Sequence, residues 1–547
     1  MIHLPKLSLL AAFVIASASA DAEEIEVFVF AGQSNMEGAD SRVGDVDRFP
    51  PFRGVTDERR DVRFWHVIGR EDKADSKGWV PLQPVRGMVG PELVFARDVT
   101  KQTERNIAIV KVAAGGTHLG GDWNPDDPSG FEMYPLLLDT VRSAMSDLEG
   151  RGFEPKLKGF FWHQGENDMF EESYLKAYGE NLANFLKRVR VDLDAPELPV
   201  YVGELCTKTI WGMDLRPRMA DIARGQRAAT DADPLATYVP TSHVGVEVGG
   251  GQGLHYHYGT LGQLEHGANY AAAYLADQGI DSPPRPAMKG WPYSRTREVD
   301  LWILAGHRNM EGERAFVQEL ESLDGGRALT RPQRIPYRYS TGGGVHASTD
   351  WEPLAPAGLY DTFGPELSFG AGMRRLDRRQ PIAIAKFTHS GSQIVDWTPE
   401  GSEAKARNLY PAFLAFVRES MAAVRDSGAR PRLAGIVYHV GENDMSFHPF
   451  RAQAASRLAA IIDRLREDLG RPMLPWFLSQ QPPTDHESVN DVDVVADMIA
   501  LAAGDPRIHH RVMSGFPDQP KQLVLDTEAI VWLGNEWADW VTEVRDR

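Results

Sequence analysis

The chain of 547 residues has a single cysteine, Cys206. An intrachain disulfide and a cysteine-based zinc site are therefore excluded. It has no apolar run long enough to span a bilayer. It also has no Lys/Arg cluster: 59 basic residues stand against 77 acidic ones, a formal net charge of −18. A duplex-binding protein shows a basic face, so nucleic acid is not an expected partner. What is present is an ordinary globular composition, 42% hydrophobic and 25% charged. That excludes disorder, collagen and coiled coil as the main state. The length suggests three or four domains and equally allows two large ones, either half being long enough for a full core.

The N-terminus carries Lys6, the apolar run Leu7–Ala16 and then Ala18-Ser19-Ala20. A charged n-region, a short h-region and a small-x-small site make a secretory signal over residues 1–20, cut after Ala20. The expected location is secreted or periplasmic, without disulfides.

The remainder is one unit written twice. Ala31-Gly32-Gln33-Ser34-Asn35-Met36-Glu37-Gly38 returns as Ala305-Gly306-His307-Arg308-Asn309-Met310-Glu311-Gly312. Gly90-Pro91-Glu92-Leu93 returns as Gly364-Pro365-Glu366-Leu367. Trp162-His163-Gln164-Gly165-Glu166-Asn167-Asp168-Met169 returns as Tyr438-His439-Val440-Gly441-Glu442-Asn443-Asp444-Met445. The offsets are 274, 274 and 276. Three matches in one order at nearly one offset place a first domain at 24–279 and a second at 298–547. The proline-rich stretch 280–297 between them reads as a stiff linker.

Apolar runs at Ile25–Phe30, Asn106–Ala113, Leu157–His163 and Leu198–Gly203 predict buried strands. Phe131–Glu149, Glu172–Arg190 and Gly262–Ala276 carry helical spacing. Copy two repeats the order, with strands at Val299–Leu304, Pro381–Phe387, Leu433–His439 and Met473–Leu478. Such alternation predicts an α/β fold with a parallel sheet covered on both faces. Ligands then sit at the carboxyl ends of the strands. Gln33-Ser34, Gly115-Gly116 and Gln164-Gly165-Glu166 each follow a predicted strand and should meet on one rim.

Ser34 on a strand-to-helix turn presents a hydroxyl at the sheet edge, where a nucleophile or a helix cap fits equally. Gly115-Gly116-Thr117 lets backbone approach a ligand, with N–H groups able to face an oxyanion. The Gln164 side chain is a further amide donor. A histidine near the serine supplies a general base, and Leu254-His255-Tyr256-His257-Tyr258 offers two. His255 and His257 lack an obvious third metal ligand.

Phe30–Gly38, Lys111-x-Ala113-x-Gly115-Gly116-Thr117, Trp162–Asp168 and His257 with Gln263 and Gly267 resemble the sialate O-acetylesterase/acetylxylan esterase domain, carbohydrate-esterase family six of the SGNH hydrolases. The resemblance covers nearly all of domain one and, in degraded form, domain two. It implies a flavodoxin-like three-layer fold in two tandem copies and hydrolysis of acetyl esters on a carbohydrate, with no metal or organic cofactor. It places the nucleophile on Ser34 and the base on His257, whose distances to Gln263 and Gly267 match the family pattern. It places the oxyanion hole on the Ser34 and Gly116 N–H groups and Gln164. The family has Asp three residues before this His; here that position is Leu254. Glu166 is the first substitute as the orienting acid and Glu247 the second. A Ser–His dyad with a backbone carbonyl is the other arrangement.

The second copy serves as an internal control. Ser34 becomes Arg308, His257 becomes Val524 and Gln164 becomes Val440, so that domain is expected to be catalytically dead. Glu37/Glu311, Gly116/Gly391, Glu166/Glu442, Asn167/Asn443 and Asp168/Asp444 persist in both. Glu37 and Asp168 are expected to be structural, and persistence gives Glu166 a structural alternative. Trp123 and Trp397 also correspond, either as an indole stacking on sugar or as core; Trp79 and Trp211 stay open in the same way. The expected partner is an acetylated carbohydrate, with the two domains docked within the chain. The rivals are a non-catalytic carbohydrate-binding scaffold and a broad carboxylesterase.

Overall fold

The computed structural model describes residues 22–205, 209–210, 213–245, 257–280, 285–402, 408–441, 444, 451–481, 493–516 and 524–547. The signal segment, Cys206, Trp211, Glu247, Leu254, His255, Glu442 and Asn443 lie outside them.

Domain one is built on six parallel strands: β1 (Glu23–Gly32), β2 (Arg59–Ile68), β3 (Ile107–Ala113), β4 (Phe153–His163), β5 (Val200–Gly203) and β6 (Ala236–Val239). Their order across the sheet is β6-β5-β4-β1-β3-β2, with Ala74–Asp75 and Val80–Leu82 added antiparallel to β2. Without β2 and its companions the strands run second, first, third, fourth, fifth, the flavodoxin-like order. Domain two repeats it with β7 (Glu298–Gly306), β8 (Gln333–Thr341), β9 (Ile382–Thr388), β10 (Arg430–His439), β11 (Trp476–Gln480) and β12 (Ile508–Val512), in the order β8-β9-β7-β10-β11-β12. Both copies are therefore three-layer α/β units with a mostly parallel sheet. β1 is buried from Ile25 to Gly32, and β3 is buried throughout, as strands covered on both faces must be.

Four elements of domain one escaped the periodicity reading. β2 reads Arg-Arg-Asp-Val-Arg-Phe-Trp-His, and its exposed charges belong to its place near the sheet edge. β6 is short, and the helices α1 (Pro91–Thr103) and α2 (Arg216–Asp231) are rich in charge on their outer faces.

Two internal pairs show what the duplication conserves. Lys111 Nζ meets Glu92 Oε2 at 2.6 Å, and Lys386 meets Glu366 at 2.8 Å, both fully buried. Each ammonium also reaches the carbonyl of Glu37 or Glu311, at 3.4 and 3.2 Å. The pair thus ties α1 and the third strand to the turn that follows the first strand. A Cβ at Gly90 would lie 2.2 Å from Glu92 Oε2 and 2.3 Å from Lys111 Nζ, so glycine leaves this pair its room.

The residues from Arg285 onward in the linker lie on domain two: Arg285 Nε binds Glu352 at 2.7 Å and Trp291 packs on Trp351. The domains also meet directly. Phe316 enters the core of domain one beside Phe49. Tyr360 donates to Asn269 Oδ1 at 2.5 Å and pairs with His243 Nε2 at 2.9 Å. In place of the copy-one serine, Arg308 is buried and pairs with Glu313, Nε to Oε2 at 2.7 Å. Glu265 of domain one comes up against this group, accepting the Gly245 N–H at 2.6 Å.

Burial, and next the Glu313 carboxylate, push Glu265 well above the ordinary carboxylate range; Glu311 adds to the rise, while the Gly245 N–H and Arg308 oppose it. A carboxyl raised in the folded state keeps a proton that the unfolded chain has lost. Its effect is absent below the ordinary carboxylate range and destabilises increasingly as pH rises above it. Glu265→Gln is therefore expected to raise Tm at about pH 8 by about 2 °C and to leave it unchanged at about pH 4. Thermal melts at the two pH values check this, and an equal effect at both would contradict it.

Candidate active site

The turn that carries Ser34 is set by Gly32. Its φ is +153°, and a Cβ would fall 2.0 Å from the His163 carbonyl, so the chain passes β4 only as glycine. Ser34 then opens a single helical turn, Ser34–Glu37. β1 and β4 are neighbours whose connections leave in opposite directions, which is the switch point where this fold binds ligands.

A cleft of about 600 Å³ lies over that point. Gln33, Ser34, Gly115, Gly116, Glu166, Asn167 and His257 all line it, with Arg70, Arg86 and the half-exposed Phe170 on its walls. The predicted convergence of the post-strand segments on one rim is what the fold produces. A second hollow of about 520 Å³, lined by His118, Phe131 and Tyr174, adjoins it and shares Gly116. Gly116 has φ +76°, a left-handed conformation that favours glycine. The preceding residue is held by Glu37, whose Oε1 accepts the Gly115 N–H at 2.9 Å. Burial raises Glu37 above the ordinary carboxylate range, against the pull of that N–H and of Lys111.

His257 Nδ1 lies 2.6 Å from Asp40 Oδ2. The histidine hydrogen bond, foremost, holds Asp40 below the ordinary carboxylate range. Asp40 has φ +60°, a conformation Asp tolerates better than most residues, and stands six residues after Ser34. Sequence reasoning missed it, yet a signal existed. At the repeat offset Asp40 becomes Arg314. It is a fourth position changed in copy two together with those of Ser34, His257 and Gln164.

Three of the expected site residues are engaged with other partners in the structure. Glu166 is the first expected substitute for the orienting acid. Its Oε1 instead accepts from Asn35 Nδ2 at 2.5 Å, with His163 Nε2 at 3.7 Å, while Asp40 takes His257 Nδ1. Burial alone would raise Glu166, but the His163 and Asn35 contacts outweigh it and hold the carboxyl below its ordinary range. Asn35 Oδ1 in turn accepts the Tyr258 N–H at 3.2 Å, so Glu166 braces the backbone beside His257. In copy two the matching amide oxygen makes the same contact, Asn309 Oδ1 accepting the Leu525 N–H at 2.8 Å, while its Nδ2 donates to Gln481 Oε1 at 2.8 Å.

Gln164 is not turned to the cleft. It is fully buried, and its amide donates to the Thr117 carbonyl at 3.0 Å and to Asp168 Oδ2 at 2.5 Å. Asn167 is the amide that does line the cleft; its Oδ1 accepts from Gln33 Nε2 at 3.2 Å, leaving Nδ2 near Gly116. Trp123 belongs to the core. It is 0% exposed, donates to Thr117 Oγ1 at 2.8 Å and packs edge-on to Trp162. Trp397 does the same through Ser392. Trp79 is a partly buried residue packed on Trp65. Asp168 is structural: its two oxygens accept the Leu119 and Gly120 N–H groups.

Among the described residues no helix is long and apolar enough to cross a membrane, and no three His, Cys, Asp or Glu side chains group as a metal site.

A probable carbohydrate esterase of Arabidopsis thaliana is 30% identical over 115 residues, which span 20% of this chain and 40% of that protein. An Arabidopsis thaliana crystal structure aligns at 20% identity with a TM-score of 0.35, covering 46% of this chain and 98% of that one. A carbohydrate acetylesterase from Xanthomonas citri aligns at 17% identity with a TM-score of 0.34, covering 49% and 59%. The family of carbohydrate esterases described as sialic acid-specific acetylesterases matches residues 24–276 and again 298–543. The chain belongs to that carbohydrate esterase family, and carries its domain twice.

Proposed function

We propose that the protein is an exported serine esterase that removes O-acetyl groups from a carbohydrate, acetylxylan or an acetylated sialate, with domain one as the catalytic unit. The observation that carries this reading is one cleft holding Ser34, His257 seated on Asp40, and the Gly116 and Asn167 donors.

With Nδ1–H donated to Asp40, the Nε2 lone pair of His257 is the base. Ser34 Oγ attacks the acetyl carbonyl as its proton passes to Nε2. The Ser34 and Gly116 N–H groups and the Asn167 amide stabilise the tetrahedral oxyanion. The C–O bond to the sugar breaks as His257 returns the proton to the leaving oxygen. Water then adds to the acetyl-enzyme, giving its proton to His257, and acetate leaves as Ser34 Oγ takes that proton back. The hollow toward Tyr174 and Phe131 offers room for further sugar units, and Phe170 offers an aromatic face at the rim.

The test is a fluorophosphonate serine probe applied to the full chain, followed by peptide mapping, with acetate release from acetylated xylan and from acetylated sialic acid measured alongside. Labelling at Ser34 is expected, with release from one of the two. An unlabelled Ser34 and no release would favour the non-catalytic binding protein. Preference for long-chain esters would favour a broad carboxylesterase.

A further inference from the structure

The carboxyl rim of the second sheet, where domain one holds its cleft, is covered by domain one itself. The covering segment is Thr241–Gly245. Ser390 Oγ donates to the His243 carbonyl at 2.5 Å. His389 Nε2 lies 3.4 Å from Ser242 Oγ. Tyr360 pairs with the buried His243 ring. Gly391, the counterpart of the oxyanion glycine Gly116, sits so close that a Cβ would lie 1.7 Å from the Ser242 carbonyl.

The same segment seats the catalytic histidine. Thr241 Oγ1 and Tyr258 Oη are 2.6 Å apart, and both are fastened to the Glu204 carbonyl, at 2.6 and 3.1 Å. Glu204 Oε2 accepts the N–H groups of Thr241 and Ser242. Tyr258 is the residue after His257, and Val244 packs on it. A continuous run of hydrogen bonds and contacts therefore leads from Ser390 and Gly391 of domain two, through Ser242–Val244 and Thr241, to Tyr258 and His257.

We propose that the retired site of domain two is a clamp that positions His257, so that Ser390 and Gly391 are positioning residues for the esterase reaction of domain one. The old oxyanion loop grips a backbone segment where its active counterpart faces an ester. A packed segment held on both sides passes on a shift rather than absorbing it, and a displacement of about 1 Å at a general base costs up to about 10²-fold in rate.

This inference rests on the esterase reading, and the experiment separates the two. Ser390→Ala removes one hydroxyl; Gly391→Ala drives a methyl against the Ser242 carbonyl. Each is made in the full chain, beside the parent and Ser34→Ala, and assayed for kcat and KM on a small acetyl ester, for fluorophosphonate labelling rate and for Tm. Gly391→Ala is expected to lower kcat and the labelling rate by about tenfold with KM changed by less than about twofold, and Ser390→Ala by about threefold. A purely structural contact would lower Tm and leave kcat of the folded protein alone. Parental kcat and labelling in both variants, with Ser34 still required, would overturn the clamp only; if Gly391→Ala does not fold, Ser390→Ala decides. Activity that survives Ser34→Ala would overturn the esterase reading and the clamp with it.

Discussion

Ser34→Ala is expected to lower kcat for acetate release by about 10⁴-fold, leaving only what the oxyanion donors and substrate binding supply. The size follows from covalent catalysis: without Oγ there is no acetyl-enzyme, and direct attack by water on the bound ester lacks a positioned nucleophile. Because domain two carries Arg308, Val440 and Val524 at the matching places, it is not expected to mask the loss. Arg308 is buried and committed to Glu313. KM is expected to change little, since Ser34 occupies one edge of a cleft whose other walls are untouched. Acetate release by parent and variant, normalised to folded protein, is the measurement. A residual rate above about one hundredth of the parent would be too large for a lost nucleophile.

Asp40→Asn is the second large effect, expected at about 10²-fold in kcat with KM nearly constant. The carboxylate fixes which ring nitrogen of His257 carries the proton and stabilises the imidazolium formed during attack. An amide can donate as well as accept, so it permits the tautomer in which Nε2 is protonated and unable to act as base. The loss is set below that of a buried triad because the Asp40 side chain is 62% exposed, so solvent can stand in for part of the charge. Glu166→Gln is the matched control. It keeps an acceptor for Asn35 and is expected to hold kcat within about threefold. If Glu166→Gln proved the more damaging of the two, the orienting role would return to Glu166. Assays of both variants on one substrate, with circular dichroism to confirm folding, decide between the two carboxylates.

The two variants also show how far the site could be read before the fold was known. Asp40 and His257 are separated by 217 residues, and no local pattern joins them. Comparison of the copies held the clue, since Asp40 turns into Arg314 while Glu166 stays Glu442. Among these carboxylates the one that changes between the copies is the one on His257, whereas Glu166 and Glu37 are kept; the donors Gly116 and Asn167 are kept as well, so persistence alone does not mark a scaffold residue. Gln164 misleads the same test. Its change to Val440 follows the inner packing, where its amide serves Thr117 and Asp168.

The duplication, the α/β alternation, the parallel sheet and the place of Ser34 at the end of the first strand were determined by sequence alone. Strand burial and helix amphipathicity are written in local periodicity, and a repeat keeps its register through divergence. The direction of each side chain was decided only in the tertiary structure. Gln164 turns inward because buried acceptors claim its amide. Trp123 lies in the core because Thr117 and Trp162 receive it. His257 meets Asp40 because two distant loops cross one strand edge. The rim of domain two is closed because Ser242–Gly245 fills it. Each of these depends on partners supplied by residues far along the chain, and hydrogen-bond satisfaction in a packed interior is a property of the assembled neighbourhood.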